Sequence, residues 1–482
     1  MSKRTMMDQF MEIKHEHPNT ILFFRMGDFY ELFHEDAQVA APVLGLALTS
    51  RDKNAENPIP MAGFPWHALE DNLKIMLKSG FKVTVAEQEQ QLREGAKLLE
   101  RVVTRIYTPG SLYEESLLAT NERSVLSSIV LAKSALSMAV IDSSTGESWA
   151  ATWSDNERFS SLEDELLRWN PAEIVLSSRD AENDNLCAIF ANLNNCVISQ
   201  HNVNKKRRIE RLESILQVSD LGHLDLDSSP LSIDAAGLAA DYLAEVHFNS
   251  EIPLRDLQII EETGHLVVDQ TTLRNLEITA TLSGDYEGSL ISSMNYCRTA
   301  MGRRLLKTWL LRPLHQLDAI ELRHNAVRSL KSSSKRLDLL RQNLVGLRDM
   351  ERLATQLAYN RSNARDLQAT AMALERMPAI MQLCRDANDE FLRHLSQNLT
   401  DLSGMAEDII RTLREDLPIG LRDGGIIRKG INTDLDELRV VSTEGYQWFK
   451  ELELNLRKQL DIPSLKIKNN RQIGWFIEVT NS

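Results

Sequence analysis

Cysteine is scarce in this chain of 482 residues, and the four present, Cys187, Cys196, Cys297 and Cys384, are scattered. They form no Cys-x-x-Cys pair and have no neighbouring histidine at zinc spacing, so a zinc-binding or disulfide-stapled class is excluded and reduced structural thiols are expected. No run of about 18 or more apolar residues occurs, which excludes a helical membrane span. The N-terminus lacks the apolar core of a signal peptide. A soluble, cytoplasmic protein with no membrane partner is expected. Also missing is a Gly-x-x-x-x-Gly-Lys-Ser/Thr loop; Gly95-Ala96-Lys97 lacks both the loop and the following hydroxyl residue. ATP binding is therefore not expected of this chain. The net charge of −14 excludes a protein coated in basic surface and by itself argues against a nucleic-acid partner. A sum does not describe a distribution, and single elements of a large acidic chain can still be locally positive.

What is present centres on Thr20 to Phe33, an apolar run of strand length, a Gly27-Asp28 turn signal and a second run in which aromatic residues alternate. The pattern predicts a β-hairpin. On a strand, Phe29, Glu31 and Phe33 project to one side and Tyr30 and Leu32 to the other, which sets an aromatic ring beside a carboxylate. Two plainer readings stay open on these residues alone. Phe29 can be core with Glu31 a solvated neighbour, or a helix can begin near Phe29.

Phe23-Phe24-Arg25-Met26-Gly27-Asp28-Phe29-Tyr30-Glu31-Leu32-Phe33 closely resembles the mismatch-recognition signature of the MutS family of DNA mismatch-repair proteins. The resemblance implies that Phe29 stacks on a mispaired base in the minor groove and that Glu31 hydrogen-bonds to it. A mispaired base has less stacking and pairing to lose when a wedge unstacks it. Met26 and Asp28 flank this pair as further DNA-contact candidates. Pro60, Met61, Ala62 and Gly63 match a family loop that lies against DNA, with a rigid loop leading into a helix as the alternative. Ala86-Glu87-Gln88 keeps the family's Glu-Gln, but the Cys before it is replaced by Ala86 and the Gly-Asp-Pro after it by Glu89-Gln90-Gln91, which leaves the local turn open.

The resemblance runs on through Thr272 to Ile278, Thr299 to Lys307 with Trp309 and Arg312-Pro313, Asp349 to Leu353, Arg361 to Leu367 and Arg422 to Ile427. It implies a multidomain α/β plus α chain. The expected parts are a mixed α/β mismatch-recognition domain over 1–110, a ribonuclease H-like connector over 120–250, the first half of a helical core and lever over 258–433, and an incomplete clamp over 434–482. In the connector, strands are predicted at Val125–Leu131, Leu136–Asp142, Glu147–Trp153 and Glu173–Leu176, with a helix over Phe159–Trp169. Lys205 to Arg208 reads as a solvated helix start, with a phosphate-contacting patch as the alternative. Leu305, Leu306, Trp309 and Leu310 have the spacing of residues packed between helices, leaving Arg303, Arg304 and Lys307 exposed. Lys466, Lys468 and Arg471 suit sequence-independent phosphate contact in the clamp, or plain solvation on a strand edge.

The family's full-length protein is implied to be a dimer that uses ATP and magnesium in a later ATPase domain to control release from the mismatch and recruitment of a MutL-type repair partner. This chain stops at Asn481-Ser482 directly after a predicted strand, and a piece of a longer reading frame is the expected explanation. Two other functions compete with this one. A structure-selective relative acting in recombination would lack the Phe-x-Glu element. A ribonuclease H-like nuclease needs carboxylates on two metals; Asp142 is one possible ligand, but Glu147 and Asp164 read as generic surface residues.

Overall fold

The computed structural model describes residues 5–51, 57–89, 99–114, 116–118, 123–154, 156–193, 195–218, 229–248, 252–255, 257–260, 265–418, 420–470 and 474–479. The chain forms two compact units, 1–362 with 376–401, and 363–375 with 402–482.

The first unit begins with a six-stranded sheet of order β3-β4-β2-β1-β5-β6. Its strands are β1 (Ile21–Met26), β2 (Phe29–Phe33), β3 (Thr49–Arg51), β4 (Ile59–Pro65), β5 (Val83–Gln88) and β6 (Arg101–Tyr107). The expected hairpin is there: β1 and β2 pair antiparallel from Phe24 opposite Glu31 to Met26 opposite Phe29. Helices His34–Leu44 and Leu69–Lys78 cover one face, where Phe23, Tyr30, Leu32 and Phe64 form the core. Helix Met6–Glu16 covers part of the other, setting Phe10 edge-on against Phe24 and Phe33. Both faces are buried over most of their length, which is why the strands read as nearly continuous apolar runs. Asp36 pins the layers together, accepting from the backbone N–H of Leu22 at 2.9 Å and from Lys14 at 2.7 Å.

Pro60 to Gly63, expected as a loop, lie inside β4 and pair with both β2 and β3. Proline usually argues against an interior strand. Here Pro65 ends the β2 ladder and Pro60 falls beyond its other end, opposite Ser50 of β3, so neither removes a bond from its middle. The altered turn at Glu89-Gln90-Gln91 falls largely outside the described residues.

A second sheet has the order β11-β10-β7-β8-β9-β12. It contains β7 (Val125–Leu131), β8 (Leu136–Asp142), β9 (Glu147–Trp153), β10 (Glu173–Leu176), β11 (Val197–Gln200) and β12 (Leu257–Ile259). The first three form an antiparallel meander, while β10 runs parallel to β7 and β11 parallel to β10. The alanine-rich helix Pro230–Val246 is buried almost all round against one face. Helices Arg158–Trp169 and Asp184–Ala191 flank the other.

The two sheets are tied by one carboxylate. Glu173 of β10 is 0% exposed; it accepts from Tyr242 Oη at 2.6 Å, from the Gly110 N–H at 3.2 Å and from the Ser199 hydroxyl, and pairs with Lys82 Nζ at 3.2 Å. Lys82 and Gly110 belong to the first domain. A second tie is aromatic: Tyr113 stacks on Tyr359 at 4.1 Å, His247 on Tyr359 at 5.2 Å, and the Arg105 guanidinium lies 4.1 Å from the Tyr113 ring.

Helix Ala300–Leu311 corrects an expectation. Arg304, read as solvent-facing, is 4% exposed and forks onto Asp349, with Nη2 to Oδ1 at 2.7 Å, and onto Glu351. Leu305 and Trp309, read as core, are exposed, and Trp309 lies under the Arg323 guanidinium at 3.8 Å. A bidentate pair between helices fixes which face turns inward more strongly than the leucines do.

In the second unit, helix Ala364–Leu374 packs on Ser403–Thr412 through Ala364, Leu367 and Ile409. The 28-residue helix Thr433–Leu460 leads to a two-stranded ribbon of β13 (Lys466–Asn470) and β14 (Gly474–Glu478), and Phe449 stacks on Trp475 at 3.9 Å.

Removing one partner of a buried, hydrogen-bonded charge costs about 3–5 kcal/mol. Glu173→Ala is expected to lose that much stability in urea denaturation, with Glu173→Gln between it and the parent. A loss under about 1 kcal/mol would mean that the tie between the sheets lies elsewhere.

Candidate nucleic-acid interface

The tip of the β1–β2 hairpin is braced from both sides. Gly27 takes the left-handed conformation a two-residue turn requires, at φ +59°. Its N–H donates to Gln88 Oε1 at 3.1 Å, and Arg25 Nε donates to its carbonyl at 2.5 Å. On the opposite side the Trp66 N–H donates to the Asp28 carbonyl at 2.9 Å. Arg101 donates to the Arg25 carbonyl at 3.3 Å and reaches Met26 Sδ at 3.5 Å. The retained Glu87-Gln88 pair thus has a structural purpose, since Glu87 accepts from the Tyr30 hydroxyl while Gln88 holds the turn.

This bracing presents Phe29, 47% exposed, immediately after the turn and opposite Pro65. Glu31 follows on the same face, half-buried, opposite Gly63 and Phe24. It makes no hydrogen bond or ion pair with any other described residue. Burial raises its pKa above the ordinary glutamate value, and the positive charges of Arg51 and Arg101 partly oppose that rise. A Cβ on Gly63 would come within 2.9 Å of the Tyr30 carbonyl, so only glycine lets β4 lie this close beneath Glu31.

The candidates divide by face. Met26, Met61 and Gly63 share the side of Phe29 and Glu31, and Asp28 is exposed in the turn. Ala62 departs from expectation: alternation turns its methyl into the core beside Tyr30 and Leu32, where it is 2% exposed. Pro60 projects to that same side but stays partly exposed. The sequence reading missed Trp66, 51% exposed beside the turn with the Arg25 guanidinium 5.3 Å from its ring, together with Arg51 and Arg101. Trp66 opens the short 3-10 turn Trp66–Ala68 just after β4, and alternation from buried Phe64 would have placed it in the core.

In the second unit Lys466 and Lys468 are exposed on β13, and Lys468 already pairs with Glu478 at 2.5 Å. Arg471 lies outside the described residues. At the start of helix Lys205–Leu216, Arg207 and Arg211 both bond Asp241, at 2.9 and 3.3 Å, and Arg208 bonds Asp234 at 3.1 Å. That basic run is largely neutralised. Asp142 is buried and accepts from the Ser144 N–H at 3.0 Å and its hydroxyl at 2.7 Å. Glu147, read as a surface residue, is partly buried near Arg123 and Arg255.

An exposed ring and a carboxylate unpaired among the described residues thus stand together on a braced hairpin rimmed by Arg25, Arg51 and Arg101. Residues 4–116, 123–255 and 271–473 match the family models for MutS domain I, MutS domain II and MutS domain III. The chain is 33% identical over 489 residues to the DNA mismatch repair protein MutS of Halothermothrix orenii, covering 100% of this chain and 54% of that protein. It is 34% identical over 482 residues to that of Syntrophomonas wolfei (99% and 56%) and 33% identical over 489 residues to that of Trichormus variabilis (99% and 57%). The chain belongs to the MutS family. It spans a little over half the length of the curated relatives it matches.

Because the folded-state pKa of Glu31 is raised, its proton is held more tightly in the native state. That favours folding only below the unfolded-state pKa and is lost as pH rises through the folded value. Glu31→Gln is therefore expected to match the parent in urea midpoint at about pH 3 and to exceed it at about pH 8. Equal midpoints at both would mean that the carboxyl is not strained by its burial.

Proposed function

We propose that this chain recognises mismatched or looped base pairs in double-stranded DNA, as the first step of mismatch repair. The observation that carries the reading is Phe29, an apolar ring left uncovered on a turn braced by Arg25, Trp66, Gln88 and Arg101. An exposed phenyl ring in water has nothing to gain there; inserted at a base step it stacks. A paired step resists that insertion by a few kcal/mol, and a mispaired one resists less. Weak pairing, rather than base sequence, becomes the recognised property.

Glu31 supplies discrimination. A carboxylate facing phosphates weakens binding to any duplex, while a displaced base offers it a hydrogen-bond donor, or phosphates raise an already elevated pKa until the carboxyl itself donates. Arg25, Arg51 and Arg101 around the hairpin fit phosphate contacts that position the protein without reading sequence. In the second unit, Lys466 and Lys468 are assigned the same task.

The strand order of the second sheet, a three-strand meander with two parallel strands added beside its first, supports a ribonuclease H-like connector. We further propose that a full-length protein of this family works with ATP and magnesium, a second copy of itself and a MutL-type partner. Within this chain we assign no catalysis: Asp142 gives Oδ1 to its own turn and sets Oδ2 3.9 Å from Arg123.

Base–aromatic stacking contributes about 1–3 kcal/mol. Phe29→Ala is expected to lower G·T-duplex affinity by about that amount and leave matched-duplex affinity nearly unchanged. Glu31→Ala should bind matched duplex more tightly than the parent. Both are read from gel-shift titrations at one salt concentration, because phosphate contacts make any single affinity salt-dependent. A matched-to-mismatched ratio unchanged in both variants would remove the hairpin from recognition.

A further inference from the structure

Away from the hairpin, helix Leu69–Lys78, the segment 168–172 and helix Ala300–Leu311 enclose a cavity of about 620 Å³. The size suits a small-molecule ligand. Among the described residues its lining is one-sided in charge: it includes Lys74, Lys78, Arg123, Arg168, Lys307 and Arg312 and no acidic side chain. Arg304 adds a seventh basic group.

The carboxylates that keep these arginines folded stand behind the wall. Arg168 and Arg312 share Glu165, Arg304 holds Asp349 and Glu351, and Arg123 lies 3.9 Å from Asp142 and 3.7 Å from Glu147. Lys74 and Lys78 have no ion pair with any described residue. On the wall itself, Arg123 Nη1 and Trp169 Nε1 have no hydrogen-bond partner among the described residues. The remaining lining includes Leu77, Leu112, Leu117 and Leu311. The arginines are largely balanced by these carboxylates, so Lys74 and Lys78 give the wall its excess positive charge; set against partly apolar walls, that charge selects an anion carrying an apolar body. Neither an inorganic ion nor a neutral hydrocarbon satisfies both halves.

We propose that this cavity binds a phosphorylated organic anion of nucleotide size, its phosphates toward the lysines and arginines and its ring against the leucines. Side chains alone would hold the phosphates, so the absence of a phosphate loop from the sequence does not bear on it. The inference is independent of the reading of the hairpin.

Isothermal titration of the 482-residue chain at low salt, with ADP and with inorganic pyrophosphate as probes, tests the assignment. Saturable ADP binding is expected, with pyrophosphate weaker. Losing a charge-assisted phosphate contact costs about tenfold in affinity. The double variant Lys74→Glu/Lys78→Glu, on a partly exposed face of a short helix, and separately Lys307→Glu, should each weaken ADP by that factor. Both should keep the parent's circular dichroism. No saturable ADP binding up to about 1 mM, affinity unchanged in both variants, or pyrophosphate bound as tightly as ADP would each overturn the proposal.

Discussion

A carboxylate taken out of water must be met by donors on every side, and Glu173 is met by donors from two domains. Its position dictates much of what surrounds it. Lys82 lies just before β5 and its carbonyl accepts from the Ile21 N–H at 2.8 Å, so holding the lysine holds the start of β1. Gly110 is glycine because a Cβ there would sit 2.8 Å from that of Glu173. The Tyr242 hydroxyl, whose pKa rises well above its usual value through burial and the neighbouring charge, stays a proton donor. The hairpin therefore extends from a sheet fixed against the second domain, and Phe29 is presented by a rigid body.

The same economy explains how an acidic chain keeps a locally positive hairpin tip. Much of its positive charge is internal: Arg304, Arg208 and Arg312 sit on carboxylates, and the basic run at 205–208 is largely neutralised by Asp234 and Asp241. Around the hairpin the arrangement differs. Arg25 donates to a backbone carbonyl and lies over Tyr30 and Trp66, with no ion pair to any described residue. Arg51 and Arg101 partly offset the burial of Glu31 without pairing with it. Local arrangement, and not net charge, sets the field that a ligand meets.

Much of this was legible in the sequence, and the failures share a cause. Alternation and turn residues located the hairpin and the four strands from Val125 to Leu176, because there local pattern and tertiary burial agree. The strand at Pro60 to Gly63 escaped because its two prolines are tolerated only through where the β2 ladder ends. Arg304 was assigned to solvent because periodicity counts leucines and is blind to Asp349, 45 residues on. Arg51 and Arg101 were invisible for the same reason, since strand order rather than sequence distance brings them to Glu31.

The central claim is that Phe29 enters the base stack where pairing is weak. Placing 2-aminopurine next to a G·T mismatch makes local unstacking visible as increased fluorescence when the chain is added. The account predicts a rise with the parent chain on the mismatched duplex, little on the matched one, and loss of the rise with Phe29→Ala at concentrations where the variant is still bound. An equal rise with Phe29→Ala would contradict it.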